Sequence, residues 1–188
     1  MRALVVFLLA ALGCSPAEGR DVTRCELRDQ LKAAIPDKAE YEGLSVDVLV
    51  AHIVCHAQFA SGFNTSAVNQ LDPKSNTVRT PPPTTPKPPH VDANIWTLYG
   101  LFQLSNHLVC SDGESPSPNI CGMSCSQLLD EDTDDDISCV STLFLYAIAE
   151  DSGYEYQDDL MTMVRLIYQQ ECRTITVSEY FTDCPSDT

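Results

Sequence analysis

Asn119-Ile-Cys-Gly-Met-Ser-Cys-Ser-Gln-Leu-Leu-Asp-Glu-Asp-Thr-Asp-Asp-Asp-Ile-Ser-Cys139 places three cysteines around a run in which six of seven consecutive residues, Asp130 to Asp136, are acidic. Like charges at this density repel, and such runs are ordinarily solvated. Here apolar residues lie on both sides, and cysteines flank the run at Cys125 and Cys139. A cation is the simplest way to hold so many carboxylates in a confined loop. The calcium loop of an EF-hand does not fit: counted from Asp130, the sixth position holds Asp135 instead of glycine and the twelfth holds Ser141 instead of glutamate. Calcium does not require that loop, since it accepts carboxylate, carbonyl and water oxygens in mixed shells.

Working outward, the chain begins with a basic Arg2, an apolar stretch Ala3–Leu12 and a small-x-small site at Ala17-Glu18-Gly19. This pattern predicts a secretory signal peptide over residues 1–19, too short to span a bilayer. Residues 20–188 then form the exported chain, which keeps eight of the nine cysteines: Cys25, Cys55, Cys110, Cys121, Cys125, Cys139, Cys172 and Cys184. An even number in an exported chain implies four disulfides, each worth about 2–4 kcal/mol. Their pairing is left open by the spacing. A net charge of −16 argues against nucleic acid and anionic membranes as partners.

Hydrophobic periodicity predicts an amphipathic helix over Val22–Ile35, capped by Thr23, and a second over Gly43–Gly62, capped by Ser45. Ile95–Ser105 is β-branched, aromatic and interrupted by Gly100, so it reads as a small hairpin or short sheet. Cys110–Cys125 is a turn-rich loop. Helices follow from Ile137 to Asp151 and from Tyr156 to Cys172, the latter with Leu160, Met163, Val164 and Ile167 on one face. Between Asn69 and Asn94 the composition turns proline-rich. An insertion loop over about 76–92 is expected within a single domain, because the flanks are too small for two cores. Thr80, Thr84 and Thr85 within it are compositional candidates for O-glycosylation.

"TRCEL" at Thr23–Leu27, "YGLFQLSN" at Tyr99–Asn106, "NICGMSC" and "LLDEDTDDDISC" follow one another in an order that resembles α-lactalbumin and the c-type lysozymes (glycoside hydrolase family 22), α-lactalbumin more closely. The resemblance implies an α+β, lysozyme-like fold with four main helices, a small β-rich lobe and four disulfides. By position it implies pairs Cys25–Cys184, Cys55–Cys172, Cys110–Cys125 and Cys121–Cys139. It also implies a calcium site with side-chain ligands at Asp130, Asp135 and Asp136 and backbone carbonyl ligands at Gln127 and Asp132.

The same resemblance places the two catalytic carboxylates of lysozymes at positions that here are Ala60 and Leu98, neither able to transfer a proton or stabilise an oxocarbenium ion. Asp92 lies six residues from the second position and does not restore it. Where lysozymes stack sugar on indoles, this chain has Leu108 and Val109, and its only tryptophan, Trp96, is expected to pack. The expectation is therefore a secreted, monomeric, calcium-binding protein without hydrolytic activity, in a binding or glycosyltransferase-regulatory role. The alternative is a muramidase acting on peptidoglycan or related glycans. The resemblance to α-lactalbumin implies a secretory-pathway galactosyltransferase, or another glycoprotein, as partner, with Gln58, Phe59, Tyr180 and Phe181 as contact residues. The family's tryptophan in that C-terminal segment is missing here.

Two further motifs are weaker. His52 and His56 have the i, i+4 spacing of zinc ligands, but no glutamate follows His52, and packed or exposed histidines are expected. Asn64-Thr65-Ser66 is an N-glycosylation sequon. Met161 and Met163 are read as helix surface and core.

Overall fold

The computed structural model describes residues 19–36, 43–75, 77–80, 95–148 and 154–185. The signal segment up to residue 18, Asp92, Thr84, Thr85 and the rest of 81–94 lie outside the described residues.

Helix α1 spans Arg24–Ala34 and starts with a full capping box: the Thr23 hydroxyl accepts from the Glu26 amide, and the Glu26 carboxylate accepts from the Thr23 amide. Helix α2, Val46–Ala60, is capped by Ser45 as the sequence predicts. Its apolar residues run all round, and Leu49 through Ala57, apart from His52, are buried. Helix α2 is thus the central strut of the helical lobe, with α1 packed on it and α3 and α4 completing the core. Leu27, Leu31, Ile53, Leu143, Leu160 and Met163 are fully buried there, while Met161 is half-exposed.

The β-lobe holds a four-stranded antiparallel sheet in the order β2-β1-β3-β4, made of Thr77–Arg79, Val68–Asp72, Trp96–Tyr99 and Leu104–Ser105. The hairpin expected within 95–105 is the β3–β4 half. The β1–β2 half was not anticipated: Val68–Asp72 and Thr77–Arg79 are strands, so the first residues of the expected insertion, Thr77–Arg79, are paired. The reason is that Asn69, Gln70 and Asp72 weaken the local strand signal, whereas pairing with β3 (Asn69 opposite Leu98, Leu71 opposite Trp96) supplies the partner that fixes it. A second, parallel pair joins β5, Cys110–Ser111, to β6, Met123–Ser124.

Gln103 locks the β3–β4 turn. Its amide nitrogen donates to the carbonyls of Ala67 and Gly100 at 3.0 and 2.8 Å, and its amide oxygen accepts from Asn69 at 2.8 Å. Trp96 is 5 % exposed and stacks on His107, so it packs, as expected.

Two helix limits differ from the sequence reading. Helix α3 covers Asp134–Ile148, starting three residues before the expected Ile137. Its first turn consists of the acids themselves, which the positive end of the helix favours. Helix α4 covers Gln157–Ile167 and stops before the expected Cys172. Gln170–Cys172 forms a separate 3₁₀ turn, and a short α5 follows at Val177–Tyr180.

The four disulfides are Cys25–Cys184, Cys55–Cys172, Cys110–Cys125 and Cys121–Cys139. The first two tie α1 and α2 to the C-terminal segment. The last two tie the acidic loop to the β-lobe and to α3. No helix among the described residues is long and apolar enough to cross a membrane.

Candidate metal centre and cleft

The acidic loop leaves β6, passes through a 3₁₀ turn at Gln127–Leu129 and enters α3. Its carboxylates order its own backbone: Asp130 accepts from the Asp132 amide at 2.8 Å, Asp132 from the Asp134 amide at 3.1 Å, and Asp135 from the Asp136 amide at 3.0 Å. Such side-chain-to-backbone bonds replace the ladder that an irregular loop lacks. Gln127 turns its side-chain oxygen to the Ser124 amide. Arg20 spans from Glu26 to the Glu131 carbonyl, fastening the chain start to the loop.

Asp136 stands apart. It is 1 % exposed, and neither carboxylate oxygen has a hydrogen-bond partner. Burial, then Asp135 and Asp130, push its pKa up to about 9. Burial and the Asp130 and Asp132 charges also raise Asp135. A buried carboxyl with two unsatisfied oxygens is costly unless a proton or a cation neutralises it. Among the described residues, no three His, Cys, Asp or Glu side chains are gathered into a metal-holding group. The donor set nonetheless consists of oxygens alone, the chemistry that a hard cation such as calcium takes. The orphaned Asp136 carboxylate is the observation that fits the ion. Asp130, Asp135 and Asp136, with the carbonyls of Gln127 and Asp132, are the residues that would hold it.

Gly100, read from sequence only as an interruption between two strands, decides whether the loop can seat. Its φ is +73°, and a Cβ there would lie 1.9 Å from the Leu128 carbonyl oxygen and 3.1 Å from Asp136 Oδ1. The β3–β4 turn therefore presses its bare backbone against the acidic loop. The glycine after Tyr99 was the available signal, but only the fold shows what it touches.

The cleft lies between the end of α2, the sheet and α4. A cavity of about 180 Å³ opens there, with Ala60 from α2 and Leu98 from β3 among its walls, and no Asp or Glu lines it among the described residues. Leu108 and Val109 are fully buried, so neither faces a ligand. His56 borders the cavity and is 3 % exposed. Its Nε2 donates to the Phe102 carbonyl at 3.0 Å. His52 is half-buried, bonded to the Val48 carbonyl and tilted against Tyr168. The two histidines thus serve separate contacts.

Burial holds the His56 pKa below the ordinary imidazole value, against the opposing pull of the Phe102 and Leu166 carbonyls. Burial likewise lowers the half-buried His107. In the unfolded chain both histidines take a proton near the ordinary value of about 6.5, so below that pH the unfolded state binds more protons. Stability is expected to be fully present above about pH 6.5 and to fall as pH drops through that value towards the folded pKa. Urea titrations at saturating calcium should show this slope, and His56→Gln should flatten it. An equal slope in the variant would assign it to His107 and other groups.

Three of the four expected contact residues, Gln58, Tyr180 and Phe181, come together at the C-terminal edge, whereas Phe59 lines the cavity. The Tyr180 hydroxyl donates to Gln58 Oε1 at 2.8 Å, and Tyr180 sits edge-on to Phe181. Arg24 lies over the Tyr180 ring and Arg28 over Phe181. Burial pushes the Tyr180 phenol up to about 12, so it remains a neutral donor. Phe59 is 58 % exposed, but Phe181 is only 8 % exposed. Phe181 therefore supports this edge from below, covered by Arg28 and Tyr180. Asn64 is half-exposed, with its Oδ1 accepting from the Ser66 amide and hydroxyl.

A helical lobe, a small antiparallel sheet, these four disulfides and an acidic loop held between two of them define a lysozyme-like α+β protein. Comparison with known proteins agrees. The sequence profile of the C-type lysozyme/alpha-lactalbumin family matches residues 89–182. An alpha-lactalbumin of Ovis aries is 32 % identical over 144 residues, 76 % of this chain and 80 % of its own. The milk isozyme of lysozyme C from Equus caballus is 32 % identical over 162 residues, 86 % of this chain and 96 % of its own. Among solved structures, a calcium-binding lysozyme from equine milk superposes with a TM-score of 0.54 at 31 % identity, covering 88 % of this chain and 98 % of that one. The chain belongs to the C-type lysozyme/alpha-lactalbumin family. Named lysozymes and named alpha-lactalbumins match it equally well, so family membership leaves the choice between their activities to the residues of the cleft.

Proposed function

We propose that the chain is an exported, monomeric, calcium-binding member of the family that does not hydrolyse glycans and acts by binding a partner. The observation that carries this reading is the cleft, where Ala60 and Leu98 stand and no carboxylate among the described residues lines the cavity. Lysozyme-type cleavage needs one carboxyl to protonate the leaving oxygen and a second to stabilise or trap the sugar cation. Neither task has a residue in this cavity among the described residues.

Calcium would be held by Asp130, Asp135 and Asp136 through side chains and by Gln127 and Asp132 through carbonyls. The buried, unpartnered Asp136 supports that role. The ion would fix the loop and, through α3 and the two flanking disulfides, the junction of the lobes. The partner surface combines Gln58, Phe59 and Tyr180, with Phe181 beneath. A secretory-pathway galactosyltransferase is the partner class that the alpha-lactalbumin relatives support. The Asn64 sequon is an N-glycan site in this reading.

The test has two arms. Incubation with peptidoglycan and with chitooligosaccharides should give no product, and turnover lost on changing any single acid would establish the muramidase alternative instead. Addition to a galactosyltransferase with glucose as acceptor should shift acceptor preference, and Phe59→Ala or Tyr180→Ala should weaken that shift. No shift at saturating protein would reject this partner while leaving the non-hydrolytic reading intact.

A further inference from the structure

Residues 150–159 read Glu-Asp-Ser-Gly-Tyr-Glu-Tyr-Gln-Asp-Asp, so five acids lie within five positions of Tyr154, and no lysine or arginine occurs anywhere between Lys87 and Arg165. Glu155 and Asp158 are exposed and Asp159 is half-buried. None of the three forms an ion pair with another described residue.

The six tyrosines among the described residues differ in what they leave free. Tyr99 lies in β3 and Tyr146 in α3, where regular hydrogen bonding holds the backbone. Tyr168 packs on His52 and Phe144, and Tyr180 donates to Gln58. Tyr154 and Tyr156 instead stand between the end of α3 and the start of α4, outside regular structure and half-exposed. Their ring centroids are 5.9 Å apart, and Tyr154 also leans on Tyr146 at 5.6 Å. Neither hydroxyl is engaged by another described residue, and Tyr156 precedes α4 without capping it by its side chain.

A phenol oxygen without a partner, on an accessible turn, is a nucleophile that a transferase can reach. Uncompensated acids on both sides are what a basic substrate groove selects by charge. They also discriminate between esters. A phosphate would add close to two negative charges to an already acidic segment, whereas a sulfate monoester adds one.

We propose that Tyr154 and Tyr156 are sulfated during export, by a lumenal sulfotransferase that draws on a nucleotide phosphosulfate. The phenol oxygen bonds to sulfur, and the sulfur–oxygen bond of the mixed anhydride breaks. The nucleotide phosphate leaves, and the phenol proton passes to a base on the transferase. The proposal rests on the reading of the chain as exported, because the transfer takes place in the secretory lumen.

The full-length chain is expressed in secreting animal cells supplied with radiolabelled sulfate. The secreted protein is freed of N-glycans and hydrolysed in alkali, which spares the tyrosine ester. Label should be recovered as tyrosine sulfate, and chlorate, which blocks formation of the donor, should abolish it. Tyr154→Phe and Tyr156→Phe should each remove part of the label, and the double variant all of it, while Tyr146→Phe keeps it. These changes delete only hydroxyls, so secretion and calcium-dependent melting of the double variant should match the parent. Tyrosine sulfate that persists in the double variant would overturn the site and move it to another tyrosine, such as Tyr41, which lies outside the described residues. Label taken from phosphate and released by a phosphatase, in place of sulfate, would overturn the chemistry. A secreted chain without labelled tyrosine would overturn this proposal alone, whereas a chain retained inside the cell would overturn the export reading and the proposal with it.

Discussion

Gly100→Ala is expected to destabilise the protein by roughly 3 kcal/mol or more and to weaken calcium binding with it. Two effects add. An alanine at φ +73° carries the left-handed backbone penalty, about 1 kcal/mol. The added methyl would also stand 1.9 Å from the Leu128 carbonyl, a fixed backbone atom, so the acidic loop or the β3–β4 turn must move. Overpacking of that kind costs about 1–3 kcal/mol further. Because Asp136 Oδ1 is the nearest side-chain atom, at 3.1 Å, the shift falls on a carboxylate proposed to hold calcium. Gly113→Ala is the control. Gly113 has φ +78° with nothing within 4 Å of the added carbon, so only the backbone penalty applies. Urea unfolding of both variants, with calcium titration of each, measures the two effects separately. A Gly100→Ala protein within about 1 kcal/mol of the Gly113→Ala protein would mean that the loop does not press on this turn.

Removing calcium should lower the melting temperature by about 10 °C at a free calcium concentration near a thousand times its dissociation constant. At that ratio linkage supplies about 4 kcal/mol, and in a domain of this size each kcal/mol moves the midpoint by about 2–4 °C. The place where the ion acts follows from Asp136. In the ion-free chain its carboxyl, with pKa pushed up to about 9 chiefly by burial, is protonated at neutral pH. Calcium must displace that proton and then neutralises the buried charge. Asp136→Asn keeps the shape and removes the charge, so it should melt no earlier than the ion-free parent and respond little to calcium. Differential scanning calorimetry with and without chelator decides the matter. An unchanged midpoint in the parent, or a full calcium response in Asp136→Asn, would remove calcium from this loop.

Much of this protein is legible along the chain. Thr23 with Glu26 and Ser45 announce the starts of α1 and α2, because a cap is a local bond between residues three apart. The acidic run and its flanking cysteines announce a charged loop under covalent restraint. Ala60 and Leu98 can be read as missing acids once the order of motifs is matched to the family. The β1–β2 hairpin was not legible, since Asn69–Asp72 becomes a strand only through its partner in β3.

The sequence by itself therefore determined the fold class, the number of cysteines available to pair, the calcium candidates and the absence of acids at Ala60 and Leu98. Each depends on residue type and on spacing along the chain. Only the tertiary structure decided that Asp136 is the buried, unpartnered member of six acids, that Gly100 presses on its loop, and that Phe181 lies beneath Arg28 and Tyr180. These properties belong to pairs of distant segments. Burial and unsatisfied hydrogen bonding exist only once such segments close around a group and exclude water.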